Sequence, residues 1–213
     1  MSNSKTVVEN MCMEMSEIVI PFERVAARFF EHAQQNGRCR DLGQLTGKLA
    51  EIHTLERAEE LVRRHPKRME VYWLPERTRE RDKEYVPANN GTPNITVYNG
   101  VKIPIGEIDM VMFVDNVPVV VETHIAKFND IRRSGVEQVL RRQMIDKKKE
   151  YVAQLLGGQP EVVYVIPENY LTNIQVPTLR IARYVQAGNH IVPFPMDRRT
   201  WRTWAESVVF QLV

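Results

Sequence analysis

Apolar positions recur at helical spacing twice in the first third of the chain. Between Ser16 and Gln35 they fall at Ile18, Phe22, Val25, Ala26, Phe29 and Phe30, which predicts one N-terminal helix over 16–35 with Gly37 as its stop. From Leu45 to Arg64 they fall at Leu49, Ile52, Leu55, Ala58, Leu61 and Val62, a second helix that Pro66 ends. The pattern then shortens. Met69 to Leu74 reads as a strand. Pro75 to Gly91, charged at first and then rich in Pro, Asn and Gly, reads as a long loop or an excursion from a sheet. Ile95 to Tyr98 and Val101 to Ile105 flank Asn99-Gly100, a strong hairpin-turn pair. Two more apolar strands follow, Gly106 to Val114 and Val117 to His124, joined tightly at Asp115-Asn116.

The second half alternates in type. Asn129 to Leu156 has helical spacing and stops at Gly157-Gly158, and Val162 to Ile166 is an unbroken apolar run of the kind buried inside a sheet. Ile174 to Ala187 reads as a helix with Pro177 in its first turn and Gly188 past its end, His190 to Phe194 as a short strand, and Thr200 to Leu212 as a closing helix. Strands alternating with helices imply an α/β fold with a central mixed β-sheet flanked by helices. No repeat or low-complexity tract divides the chain, so residues 1–213 are expected to form a single domain. Trp201 and Trp204, about one helical turn apart, are either a contact surface or core.

Composition changes this picture little. Hydrophobic residues at 43% suffice for a real core, and a net charge of +2 confines any basic surface to local clusters. Cys12 and Cys39 form no disulfide framework, which points to a reducing compartment. No apolar run approaches the ~18 residues of a membrane span, and the N-terminus shows no secretory pattern. An intracellular, cytoplasmic protein with no membrane partner is therefore expected.

The chemistry concentrates in the paired strands. Asp109 and Glu122 each stand inside an apolar strand, where a carboxylate is costly unless it is paired or bound to a metal. A hairpin can bring them side by side, the arrangement a hard divalent cation such as Mg²⁺ needs. A structural pair, or a turn cap for Asp109, is the alternative. Glu107 shares a face with Asp109 by alternation and fits either a ligand or the strand's solvent end. His32, His65 and His190 have no metal-ligand spacing, and there is no phosphate-binding loop, dinucleotide turn or Gly-x-Ser-x-Gly elbow.

Gly106-Glu107-Ile108-Asp109 followed by Val119-Val120-Val121-Glu122-Thr123-His124 resembles the signature of the PD-(D/E)XK nuclease superfamily. The order of a glutamate-bearing helix, a strand, the Asp strand, the Glu strand, a helix and a strand, over residues 43–194, resembles its core. The resemblance implies a restriction-endonuclease-like core, to which the helices at 16–35 and 200–212 are additions. It implies an enzyme, a Mg²⁺- or Mn²⁺-dependent DNA endonuclease, with Asp109 and Glu122 as metal ligands and catalytic residues. Gly47-Lys48-Leu49-Ala50-Glu51 is similar to the Gly-x-x-x-Glu of archaeal junction-resolving relatives, making Glu51, or else Glu56, a third ligand. That likeness implies a homodimer acting on branched DNA such as junctions. The family's lysine would fall at His124, and Lys127 just beyond the strand is the other candidate for its role. Lys48, Arg132, Arg133, Arg141 and Arg142 are candidates for phosphate contact, within a basic stretch that continues to Lys147, Lys148 and Lys149; a plain solvated face is the alternative. The histidine also keeps open a nuclease-fold protein that binds nucleic acid without cutting it. The whole chain further resembles nuclease-like proteins of archaeal spindle-shaped viruses, for which the compartment is the host cytoplasm.

Overall fold

The computed structural model describes residues 4–32, 42–100, 103–124, 145–167, 189–196 and 198–210. Three helices, α1 (Ser4–Glu17), α2 (Phe22–Glu31) and α3 (Leu42–Arg64), precede seven strands: β1 (Met69–Tyr72), β2 (Thr78–Glu80), β3 (Lys83–Pro87), β4 (Ile95–Asn99), β5 (Pro104–Ile108), β6 (Met110–Val114) and β7 (Val117–Thr123). Then come α4 (Ile145–Leu156), β8 (Glu161–Pro167), β9 (Asn189–Phe194) and α5 (Arg198–Phe210). The helix expected at 174–187 and the start of the one expected from Asn129 lie outside the described residues.

The strands form two sheets. The central one is mixed, in the order β1-β6-β7-β8-β9. Its first three strands are antiparallel, and β7, β8 and β9 run parallel. The second is an antiparallel meander of β2-β3-β4-β5, inserted in the chain between β1 and β6. The central sheet is covered on both faces. Met110, Met112, Val119, Val121, Val163 and Val165 face a core shared with α1, α3 and α5. Val111, Val120, Val162 and Tyr164 face the opposite way, onto the second sheet and α4. Burial on both faces explains why these strands read as continuous apolar runs.

Two sequence expectations need correction, and one open pair of readings resolves. The single N-terminal helix is two, because Pro21, extended at φ −61 and ψ 138, disfavours helical geometry in the residue before it. The helix before that break, α1, buries Val7, Val8, Met11, Cys12 and Met15. Of the two readings of 75–91 the loop fails and the excursion holds: β2 and β3 pair within the second sheet, across a turn in which Arg81 takes φ 57. The apolar run 106–114 is not one strand. It breaks at Asp109, with β5 in the second sheet and β6 in the central one.

The tight turn at Asp115-Asn116 is present, with φ of 48 and 67, the positive pair that suits a two-residue hairpin. Arg68 clamps it by donating to both Asp115 oxygens at 2.9 and 2.6 Å. Gly157 and Gly158, at φ 76 and 73, close α4. Trp201 is fully buried and donates its indole N–H to Thr46 O at 2.9 Å, while Trp204 is half-buried and stacks on it at 4.8 Å. Both tryptophans belong to the core. So does His53, 1% exposed against Phe194 and Trp201, which burial and then the neighbouring Arg57 push down to about 3, leaving it neutral.

Candidate active site

The break at Asp109 places the site. Met110 lies opposite Val121 in the β6–β7 ladder, so Asp109, one step earlier, comes level with Glu122, one step later. Both turn to the side that carries α4 and the second sheet, opposite the face of Met110 and Val121. The Thr123 amide donates to Asp109 Oδ2 at 2.8 Å, and Thr123 Oγ1 donates to Thr54 on α3 at 3.0 Å. Asp109 is therefore fixed where the chain leaves one sheet for the other.

Two further carboxylates converge here. Glu51 on α3 accepts from Lys48 Nζ at 3.2 Å and from Asn94 Nδ2 at 3.1 Å. The same Asn94 nitrogen donates to Glu107 Oε1 at 3.1 Å. Glu107 is exposed, in keeping with the solvent end of its strand. From the other side, Lys148 on α4 donates to Glu122 Oε2. Tyr151, nearly one turn along α4, sets the register of that helix: its ring lies over Gly106, where a Cβ would stand 3.0 Å from it, and its carbonyl accepts from Tyr85 Oη at 2.9 Å. A larger residue at Gly106 would press on the Tyr151 ring.

The electrostatics reflect an excess of negative charge. Burial and then the Asp109 carboxylate hold Glu122 well above the usual carboxylate range. Burial likewise raises Asp109, against the pull of Lys148 and the Thr123 N–H. Burial and then Asp109 raise Glu51 to about 7. Burial works against the charge on Lys148, but Glu122 and Asp109 outweigh it, so this lysine is held protonated.

The structure brings Glu51, Asp109 and Glu122 together, with Lys48 bound into the centre. Glu56 is turned away toward Arg24 and Arg28. His124 continues β7, its amide donating to Val165 O at 2.9 Å, and by alternation it shares the Glu122 face. Lys127, Arg132, Arg133, Arg141 and Arg142 lie outside the described residues. Lys148 and Asn94 were not singled out by sequence. Lys148 comes from α4 and Asn94 from the connection between β3 and β4, and only the fold sets the one against Glu122 and the other against Glu51 and Glu107.

The donor set is chemically suited to a hard cation. Glu122 Oε1 is buried without a hydrogen-bond partner among the described residues, and all four acids offer oxygen. No three His, Cys, Asp or Glu side chains among the described residues are gathered tightly enough to enclose an ion unaided. Mg²⁺ is commonly held by one or two carboxylates, with water and substrate phosphate completing the shell. No helix among the described residues is long and apolar enough to cross a membrane. No family model, curated protein or solved structure matches the chain.

Proposed function

We propose that the protein is a metal-dependent endonuclease acting on DNA, with Asp109, Glu122 and Glu51 as the carboxylates of its centre and Lys148 as its lysine. One observation carries the reading: four acids, Glu51, Glu107, Asp109 and Glu122, meet two lysines at the crossing point between sheets. Gathering such an excess around the buried Glu122 is unfavourable unless a cation answers it. The element order α3, β1, β6, β7, α4, β8 supports it too, since it follows the order on which the resemblance to PD-(D/E)XK nucleases rests.

Hydrolysis of a phosphodiester needs charge neutralised on the phosphate and hydroxide produced near neutral pH. A Mg²⁺ held by Asp109 and Glu122 supplies both when bound. The Thr123 amide keeps Asp109 aimed at Glu122. Lys148, held protonated, acts as a cation that offsets charge on the phosphate and the attacking oxygen, and can give a proton to the leaving oxygen. A lysine arriving from α4 answers the absence of one at His124, so the histidine does not by itself argue for an inactive protein. Cutting two strands of a branched duplex takes two such centres, which a twofold dimer provides.

The test is incubation of the full chain with branched and linear DNA in Mg²⁺, in Mn²⁺ and in chelator. Metal-dependent cleavage, strongest on branched DNA, is expected. Tight DNA binding with no cleavage in either metal would replace this reading with a nuclease-fold protein that only binds.

A further inference from the structure

The connection between β3 and β4, residues 88–94, belongs to the second sheet but docks on α2 and α3. Ala88 N–H donates to Asn94 O at 2.9 Å, and the Thr92 amide and hydroxyl both donate to Asn90 Oδ1, at 3.2 and 2.5 Å. Gly91 stands at φ +72, where a Cβ would run into the His32 ring, and its carbonyl accepts from Arg28 at 3.4 Å. Lys48 Nζ donates to Thr92 Oγ1 at 3.2 Å. The loop is therefore fixed at several points, and its last residue, Asn94, is 2% exposed.

Asn94 presents its amide nitrogen to Glu51 Oε2 and Glu107 Oε1, each at 3.1 Å. An amide NH₂ has two hydrogens, one for each carboxylate. Turning the amide over would set its oxygen against two carboxylates, so the network dictates this orientation. The bridge joins a helix that packs on the central sheet to a strand of the second sheet. It is also neutral. A lysine or arginine would hold the two acids equally well but would cancel charge that a bound cation requires.

We propose that Asn94 is a positioning residue of the centre: its amide bridges Glu51 and Glu107 and so holds the third carboxylate toward the Asp109–Glu122 pair without neutralising it. The proposal rests on the metal-dependent reading above. Without the bridge, Glu51 keeps Lys48 as its partner and its 24% exposed side chain is free to turn to solvent.

The test is calorimetric titration of the full chain with Mn²⁺ alone, without DNA, beside the Mg²⁺ dependence of cleavage. Asn94→Ala should weaken Mn²⁺ binding about tenfold and raise half-saturating Mg²⁺ to match, as loss of a ligand-orienting partner does, with most of the rate restored at saturating metal. In a Glu51→Gln background the same change should alter Mn²⁺ affinity less than about twofold, because the residue it acts through is already altered. Asn94→Leu, of similar volume and without donors, serves if Asn94→Ala does not fold. Unchanged Mn²⁺ binding in a folded Asn94 variant overturns this proposal alone, as does an undiminished tenfold loss in the Glu51→Gln background. A wild-type chain that takes up no Mn²⁺ removes the metal-dependent reading and this proposal with it.

Discussion

Helix α3 carries two sets of acids whose charge is answered in different ways. Toward α2, Glu56 and Glu59 meet Arg24 and Arg28. Arg28 donates to Glu59 at 2.6 and 2.9 Å and to Glu56 at 2.7 Å, and Arg24 pairs with the other Glu56 oxygen. Two carboxylates face two guanidiniums, and the group fastens α2 to α3. One turn earlier, Glu51 joins Glu107, Asp109 and Glu122, and among the described residues only Lys48 and Lys148 answer them. The same residue type on the same helix thus makes a closed fastener in one place and an unmet demand for positive charge in the other. A matched cluster explains itself by packing. An unmatched excess around the buried Glu122 does not, and in the proposed function a bound cation answers it.

The sharpest way to break this contrast is to remove charge from the unmatched set. Asp109→Asn or Glu122→Gln should lower Mg²⁺-dependent cleavage about 10³-fold, the loss of several kcal/mol of charge stabilisation. The fold should survive, because each variant removes a buried charge held in an unfavourable state. Initial cleavage rates and thermal unfolding, read together, check both halves. Cleavage at the wild-type rate would mean that the excess charge is not where the chemistry lies.

Next is the cation. Lys148→Ala should cost about 10²-fold in rate, the usual scale for one proton-transfer or charge-stabilising group. His124→Ala and Lys127→Ala should each cost far less. Single-turnover rates of the three variants rank them directly, and a dominant loss at His124 would return the lysine's role to the strand.

That ranking differs from the one the sequence suggests, for a physical reason. Asp109 and Glu122 were legible because a strand is local: they stand thirteen residues apart, and alternation and an Asp-Asn turn set their faces and registry. The order of the central sheet's strands along the chain was legible from such local patterns, as were the bounds of α3 and α5 and the end of α4. Lys148 was not, since nothing local distinguishes it from Lys147 and Lys149 beside it; its role depends on Tyr151 seating α4 over Gly106. Asn94 was hidden likewise: it falls in the short gap between Gly91 and the strand at Ile95, where nothing local marks it. The strand break at Asp109 was missed because Ile108 and Met110 are both apolar and buried, each in a different sheet. The helix α1 was an avoidable miss, for Val7, Val8, Met11, Cys12 and Met15 keep helical spacing.

A smaller effect separates the two sets by pH. Glu51 is raised from an ordinary 4.5 to about 7. A carboxyl held above its usual value keeps its proton more tightly folded than unfolded. Its contribution to stability is therefore full below about pH 4 and is lost as the pH rises through 7. Glu51→Gln should match wild type near pH 4 and exceed its unfolding free energy by about 3 kcal/mol at pH 8. Denaturant unfolding at the two pH values reads the difference, and a variant less stable than wild type at pH 8 would show that Lys48 and Asn94 already compensate Glu51 in full.

The smallest effect belongs to the matched set and tests whether the two are independent. Glu59→Gln removes the carboxylate that takes two hydrogen bonds from Arg28, but Arg28 keeps Glu56 and the Gly91 carbonyl. Glu59 is 30% exposed, so water softens the loss, and about 1 kcal/mol of stability should go. Cleavage below the unfolding transition should stay within about twofold of wild type, since nothing at Asp109, Glu122 or Lys148 is touched. Urea unfolding and a cleavage assay at 25 °C make the comparison. A fall in cleavage larger than the fall in stability would mean that Arg28 relays its position through Gly91 to Asn94, joining the fastener to the centre it lies beside.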